Sequence, residues 1–270
     1  MSTDTELFKA VPGRYGLAVT RTGDMTVSCH LPLEPDKLAS DGSARPAAVM
    51  MGVDMAAGLA AGMGVHPDAT MTADTAVQFV SSARAGPLRI DARCIKPGRS
   101  QSLSEVTVVD EGADDAIVAV ATANHGVMIP TSRPRPAGRP AFTNEIMALG
   151  IGDTISFPRP PDAGTGDLEQ HFGLSVKNGE VRIPVDDRTR NPLGILHGGL
   201  TGLVLDAIAL SVGFTRLDEV MIRFMRPVRE GPGLASIVDD MTFDGRRLLR
   251  VEMRDESADR LAVLAHVVGR

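Results

Sequence analysis

The chain has 270 residues, 43% hydrophobic and 23% charged, with a formal net charge of −6; that is apolar material for a sizeable core, and it excludes a wholly disordered chain. The acidic balance lacks the basic face that nucleic-acid phosphates need, which excludes nucleic acid as the main partner but not a phosphate-bearing small ligand. Cys29 and Cys94 stand outside any redox or metal-ligand spacing, so neither a disulfide framework nor a metal site is expected, and both read as buried small apolar residues.

Residues 1–6 carry no basic n-region and no apolar h-region, so no secretory signal is read and a cytoplasmic location follows by default. Disorder is expected only here and in the linker below. Residues 25–31 alternate as a strand. Residues 47–61 form a mostly apolar helix, which with Asp54 and its glycines reads as a core helix rather than a membrane span. Strands follow at 73–80, 88–95, 101–110 and 116–128. Further on, 181–185 is a strand, 199–214 a second apolar helix, and 220–225, 234–240, 247–255 and 261–268 are strands.

The order repeats because the sequence does. Val77-Gln78-Phe79-Val80 corresponds to Ile222-Arg223-Phe224-Met225, Gly86-Pro87-Leu88 to Gly231-Pro232-Gly233, and Val109-Asp110-Glu111 to Arg254-Asp255-Glu256, all at an offset of 145. Asp54 matches Asp206 at 152, and the seven extra residues are assigned to a longer loop in the first copy around residues 62–73. Tyr15-Gly16-Leu17-Ala18-Val19 resembles Phe172-Gly173-Leu174-Ser175-Val176, so each copy is expected to open on a hairpin.

A hairpin, one helix apolar all round, then consecutive strands predict an α+β unit in which an antiparallel sheet curls around a central helix. Two such sheets, continuing side by side across a pseudo-twofold axis, would bury both helices. The expected boundaries are an N-terminal domain 1–129, a linker 130–163 containing Pro130, Pro134, Pro136, Pro140, Pro158, Pro160 and Pro161, and a C-terminal domain 164–270.

The segment that carries chemistry is Asn191-Pro192-Leu193-Gly194-Ile195-Leu196-His197-Gly198-Gly199, with Asp206 following nine residues after the histidine. Gly198 and Gly199 open a helix whose first N–H groups lack intrahelical partners, and without side chains they admit a ligand carbonyl. Such donors suit an acyl-transfer oxyanion. A carboxylate on an apolar helix is costly unless paired or functional, so Asp206 is either hydrogen-bonded to nearby backbone or a base or nucleophile with a raised pKa. His197 alone is equally compatible with a structural role in the loop.

Asn-x-x-Gly-x-x-His-Gly-Gly with that downstream Asp resembles the phenylacetic-acid-pathway type of hotdog-fold acyl-CoA thioesterase. Phe224-Met225-Arg226-Pro227-Val228-Arg229-Glu230-Gly231 and Gly245-Arg246-Arg247 extend the likeness, which spans residues 167–270 and, more weakly, 14–129. It implies a double hotdog fold and thioester hydrolysis with coenzyme A as part of the substrate, no metal or organic cofactor, and each site built across two hotdog units.

Helix geometry also calls for a site across two units. Asp206 lies about 10 Å along its helix from the donors at Gly199, whereas a base and an oxyanion hole must converge within a few ångströms of one carbon. The carboxylate facing His197, Gly198 and Gly199 is therefore expected to be Asp54. The first copy has Arg45-Pro46-Ala47 where the second has His197-Gly198-Gly199, and Pro46 has no N–H. One competent site and one degenerate site, pairing Asp206 with the Arg45 loop, follow.

In the competent site Gly199 N–H, with His197, would hold the oxyanion; Asp54 would act as general base or nucleophile; Asn191 would orient the loop or the water. Arg223, Arg226, Arg246 and Arg247 are candidates for the phosphates of coenzyme A, against the alternative of solvated strand-end arginines. His30, His66, His125, His171 and His266 have no metal-ligand spacing and read as surface or structural. The glycines at 58, 62 and 64 read as packing positions, not a dinucleotide fingerprint, and the methionines near 50–63 as core or as lining of an adaptable acyl tunnel. Two rival functions share this fold: a hydratase or dehydratase, and a non-catalytic acyl-CoA sensor. A homodimer of tandem units is the expected assembly.

Overall fold

The computed structural model describes residues 4–128, 142–159, 166–177 and 179–270. In chain order its elements are α1 (Asp4–Tyr15), β1 (Ala18–Arg21), β2 (Thr26–Leu31), α2 (Pro46–Gly64), β3 (Ala69–Phe79), β4 (Leu88–Lys96), β5 (Gln101–Asp110), β6 (Ala116–Met128), α3 (Phe142–Ala148), β7 (Thr154–Ser156), α4 (Leu168–Phe172), β8 (Ser175–Lys177), β9 (Glu180–Ile183), α5 (Gly198–Ser211), β10 (Leu217–Phe224), β11 (Gly233–Phe243), β12 (Arg246–Asp255) and β13 (Arg260–Gly269).

The strands form one antiparallel sheet of 13, in the order β7-β1-β2-β4-β5-β6-β3-β10-β13-β12-β11-β9-β8. This replaces the expected two sheets. β3 and β10 leave no edge between the halves, because Thr75, Ala76 and Val77 pair with Ile222, Met221 and Val220, and an unpaired edge strand is a ready template for another. Outward from that junction the strands run β3, β6, β5, β4, β2, β1 on one side and β10, β13, β12, β11, β9, β8 on the other, with β7 added beyond β1.

The two halves repeat local detail as well as order. Asp110 accepts from the N–H groups of Arg84, Ala85 and Gly86, and Asp255 from those of Arg229, Glu230 and Gly231, at 2.6–3.1 Å. Three backbone donors on one carboxylate favour its charged form, and both aspartates are held below the usual carboxylate range although burial opposes it.

α2 and α5 pack against each other inside the curl of the sheet. α2 is long and apolar enough to cross a membrane, and here it is buried in the fold. The helices approach closely because two glycines face the partner: a Cβ on Gly199 would lie 2.7 Å from the Met51 sulfur, and one on Gly202 2.7 Å from Met50 Cβ. Cys29 and Cys94 are free and buried.

Three expectations change. Residues 142–159 are not an extended linker: α3 buries Ile146, and β7 pairs with β1 through Ala18 and Ser156. Pro130, Pro134, Pro136, Pro140, Pro160 and Pro161 lie outside the described residues. Each hairpin is preceded by a helix: α1 begins within residues 1–6, where disorder is expected, and meets α4 where the Tyr15 and Phe172 rings stack at 6.1 Å. The seven extra residues of the first half are not a loop either. They lengthen α2 to 19 residues against 14 in α5 and start β3 further upstream than β10.

Candidate active site

Asp54, two turns into α2, faces the N-terminus of α5. His197 is the cap of that helix: its Nδ1 accepts from Gly199 N–H at 3.1 Å, and its own N–H donates to the Thr189 carbonyl at 2.9 Å. Asp54 Oδ2 lies 3.6 Å from His197 Nδ1. Gly198 is glycine for a local reason, since a Cβ there would stand 2.8 Å from Asp54 Oδ1. On the other side Thr72 Oγ1 of β3 donates to Asp54 Oδ1 at 3.2 Å.

With Nδ1 of His197 accepting a hydrogen bond, the ring proton belongs on Nε2. The imidazole is 8% exposed, and burial pushes its pKa below the ordinary histidine value while the Asp54 charge pulls the other way. Gly198 N–H has no partner among the described residues, whereas Gly199 N–H is committed to the cap. Of the two glycine N–H groups at this helix start, His197 caps through the second and leaves the first one free.

These groups lie on the wall of a cavity of about 440 Å³. It runs along α2 past Met55 and Leu59, and Ala69, Thr70 and Met71 of the lengthened β3 close one side. Asn191 lines it and accepts from the N–H groups of Leu193 and Ile195 at 2.9 and 3.4 Å, so it folds the loop upon itself. Of the four arginines singled out for phosphate contact, Arg226 reaches the cavity. Arg223 is exposed on β10 outside the lining. Arg246 faces Asp218 at 3.8 Å; Arg247 pairs with Asp240, donates to the Val212 carbonyl and covers the Phe214 ring. The β11–β12 hairpin carries these two away from the site.

Asp206 is elsewhere, 2% exposed. Arg45, at the N-terminus of α2, donates to it through Nε at 2.9 Å and to Glu169 of α4 through Nη1 at 3.0 Å. Pro46 is the first residue of α2, so the first N–H position is empty, as the alignment of the two loops predicts. Burial raises the Asp206 pKa to about 6, with Arg45 opposing and Glu169 reinforcing it.

Two residues of the site escape the sequence reading. Thr72 lies one position before the expected strand. His125, read as surface or structural, is 1% exposed, lines the cavity and has, among the described residues, no partner in hydrogen-bonding geometry at either ring nitrogen. Its place on the inward-facing alternation of β6, with Ala119, Ala121 and Ala123 buried beside it, was the available signal.

Residues 45–126, which hold Asp54, Thr72 and His125, match the family model described as the acyl-CoA thioesterase N-terminal domain. A protein of Pasteurella multocida named as an esterase is 28% identical over 96 residues, covering 33% of this chain and 68% of that one. Among solved structures, a protein of Lactobacillus plantarum named as an oleoyl thioesterase superposes with a TM-score of 0.60 at 14% identity, over 91% of this chain and 96% of its own. A protein of Alicyclobacillus acidocaldarius described as having the hot dog fold gives 0.57 at 15% identity, over 100% and 98%. At such identities the two structures speak for the fold, and the domain match speaks for the chemistry: the chain is a thioester hydrolase built on the hotdog fold.

Proposed function

We propose that the chain hydrolyses acyl-CoA thioesters at a single site shared by its two halves, Asp54 coming from the first and the His197–Gly198 loop from the second. The observation that carries this is the Asp54 carboxylate set across the open N-terminus of α5, at the wall of a cavity with room for an acyl group.

The thioester carbonyl oxygen would sit at Gly198 N–H, with the Nε2 proton of His197 as a second donor, where the helix N-terminus favours the developing negative charge. Asp54 would take a proton from water as the water oxygen bonds to the carbonyl carbon. The carbon–sulfur bond then breaks and the thiolate of coenzyme A takes up that proton. In the nucleophilic variant, an Asp54 oxygen bonds to the carbon first, the thiolate leaves, and water hydrolyses the anhydride. Thr72 fixes the rotamer of Asp54 in either route. Coenzyme A enters as part of the substrate, and no separate cofactor is proposed.

We further infer that the chain arose as a tandem hotdog of the phenylacetic-acid-pathway type, with halves 1–129 and 164–270 about a pseudo-twofold axis, acting in the cytoplasm as a homodimer of such units. The strand order and the repeated Asp110 and Asp255 arrangements support the duplication. The hydratase and sensor readings become outcomes of the test. Thiol release from an acyl-CoA panel is measured for the wild type, Asp54→Asn and Asp206→Asn. Asp54→Asn should lose roughly 10²–10⁴ in turnover, while Asp206→Asn retains turnover. The reverse pattern would assign the base to Asp206, water addition to an enoyl-CoA would indicate a hydratase, and binding without turnover a sensor.

A further inference from the structure

His125 is a buried polar side chain without a well-formed hydrogen bond. It is 1% exposed, and among the described residues neither ring nitrogen has a partner in hydrogen-bonding geometry, although the Ser102 and Ala123 carbonyls lie near it. Buried donors and acceptors are normally paired, and leaving both sides of an imidazole unpaired is costly. Burial pushes its pKa below the ordinary value, against the pull of Asp54, the Ser102 and Ala123 carbonyls and Asp74. The ring is thus neutral, offering one donor and one acceptor.

Its position is set by the sheet. On β6, His125 stands opposite Thr72 of β3 and Ser102 of β5, so the three side chains share the face that looks at α2. Thr72 reaches Asp54, Ser102 reaches the Ala61 carbonyl, and His125 reaches Gly58, where a Cβ would lie 3.8 Å from Nε2. Gly58 is one helical turn, about 6 Å, beyond Asp54. His125 therefore meets the cavity one turn past the carboxylate that faces the thioester, in a lining that holds Met55, Leu59 and Met128 together with the hydroxyls of Thr70 and Thr143.

The fold does not require a polar pair there. The equivalent pair in the second half is Leu217 and Gly269, opposite each other beside the same bulge. Thr72 and His125 occur only where Asp54 faces an open loop.

Resting on the hydrolase reading above, we propose that His125 hydrogen-bonds an oxygen carried by the acyl chain on its β or γ carbon, so that the preferred substrates are hydroxyacyl- or oxoacyl-CoA thioesters rather than saturated ones. A hydroxyl group matches a neutral imidazole on both sides, accepting from one nitrogen or donating to it. A methylene in the same place leaves the buried imidazole unpaired, and a site built to bond a hydroxyl discriminates strongly against the analogue lacking it.

The test compares kcat/KM for β- and γ-hydroxyhexanoyl-CoA, β-oxohexanoyl-CoA and hexanoyl-CoA in the wild type, His125→Leu and His125→Gln, with folding checked by circular dichroism. The wild type should favour at least one oxygenated substrate over hexanoyl-CoA by roughly 10²-fold or more. His125→Leu should bring that ratio near one, and His125→Gln, which keeps a donor and an acceptor, should retain most of it. A wild type without preference overturns the proposal while leaving the hydrolase reading intact. So does a His125→Leu variant in which all substrates fall by the same factor, since that is the signature of a residue acting on the water or the fold. If the wild type hydrolyses none of them, calorimetry with the matching non-hydrolysable thioethers decides. A hydroxyl preference lost in His125→Leu upholds the subsite though hydrolysis fails, and equal binding of hydroxylated and saturated thioethers overturns it.

Discussion

Arg45 bonds Asp206 at 2.9 Å in the place where, on the opposite side of the helix pair, His197 faces Asp54 at 3.6 Å. Each is the residue before its helix, and each meets the acid on the other helix. The difference is chemical. A neutral imidazole leaves the Asp54 carboxylate and the Gly198 N–H available, whereas a guanidinium fills the corresponding space and joins two carboxylates.

Removing that guanidinium should unfold the protein more readily without touching turnover by the folded fraction. Arg45→Ala leaves the buried Asp206 beside a half-buried Glu169 with no counter-charge, which costs about 3–5 kcal/mol. Asp206 has a pKa raised to about 6 in the folded state, above its unfolded value, so its contribution is present at acid pH and lost as pH rises through that value. The destabilisation should accordingly be larger at pH 8 than at pH 5, as read by urea unfolding at the two pH values. Equal loss at both would mean that the ion pair is not its origin.

Gly198 and Gly199 should fail in different ways. A Cβ at Gly198 meets Asp54 Oδ1 at 2.8 Å, and one at Gly199 meets the Met51 sulfur at 2.7 Å. Gly198→Ala displaces the carboxylate and should lower kcat by roughly 10²-fold with little change in melting temperature. Gly199→Ala wedges the two helices apart and should cost about 1–3 kcal/mol of stability. The paired measurement is steady-state thiol release and thermal unfolding, and an exchange of the two phenotypes would refute the assignment of the oxyanion donor.

Much of this was legible before any coordinates. The apolar runs bounded by turn residues placed β5 and β6 to the residue, and the repeat offset of 152 paired the helix acids. Helix rise then sent Asp54, not Asp206, to the second loop. What escaped depends on contacts no local pattern encodes. Which glycine N–H stays free is decided by the His197 side chain turning back on Gly199. Glu169, which shares Arg45, sits on the five-residue helix α4, too short for a periodic signal. Histidine spacing carries information about metal ligation alone, and His125 is informative through its burial instead.

Thr72→Val should separate positioning from folding. The hydroxyl holds Asp54 Oδ1 at 3.2 Å, and a hydrogen bond to a carboxylate contributes about 1.5–3 kcal/mol. A fall in kcat of roughly tenfold or more is expected in a variant that still folds, because the equivalent position takes Leu217 in the other half, and any fall in melting temperature should not exceed what that one hydrogen bond contributes. Unchanged kcat would show that Asp54 needs no such anchor.

Acid should act through the histidines. Burial lowers the folded-state pKa of His197 and His125, so their contribution is present above the unfolded value near 6.5 and is lost as pH falls below it. Asp206 works in the opposite direction at lower pH. Protonated Nδ1 of His197 also ceases to accept from Gly199. Turnover should therefore stay flat through about pH 6.5 and decline only at more acid pH, where the buried His197 of the folded protein takes up its proton, and the decline should be absent in the residual activity of His197→Asn.

The phosphate end of the substrate gives the last prediction. Arg226 is exposed at the cavity with its Nη1 donating weakly to the Leu261 carbonyl at 3.4 Å, and so has charge to offer an incoming anion. Reversing it in Arg226→Glu should raise KM for an acyl-CoA by roughly tenfold at low salt, with the difference shrinking as ionic strength rises. The same acyl group on pantetheine, which lacks the nucleotide phosphates, should show no change. Arg247→Glu serves as the contrast, since Arg247 is held by Asp240 and the Val212 carbonyl away from the cavity. If both reversals raise KM alike, the effect is the net charge of the surface and Arg226 has no particular role; if only Arg226→Glu does, the nucleotide passes over the cavity mouth at the end of β10.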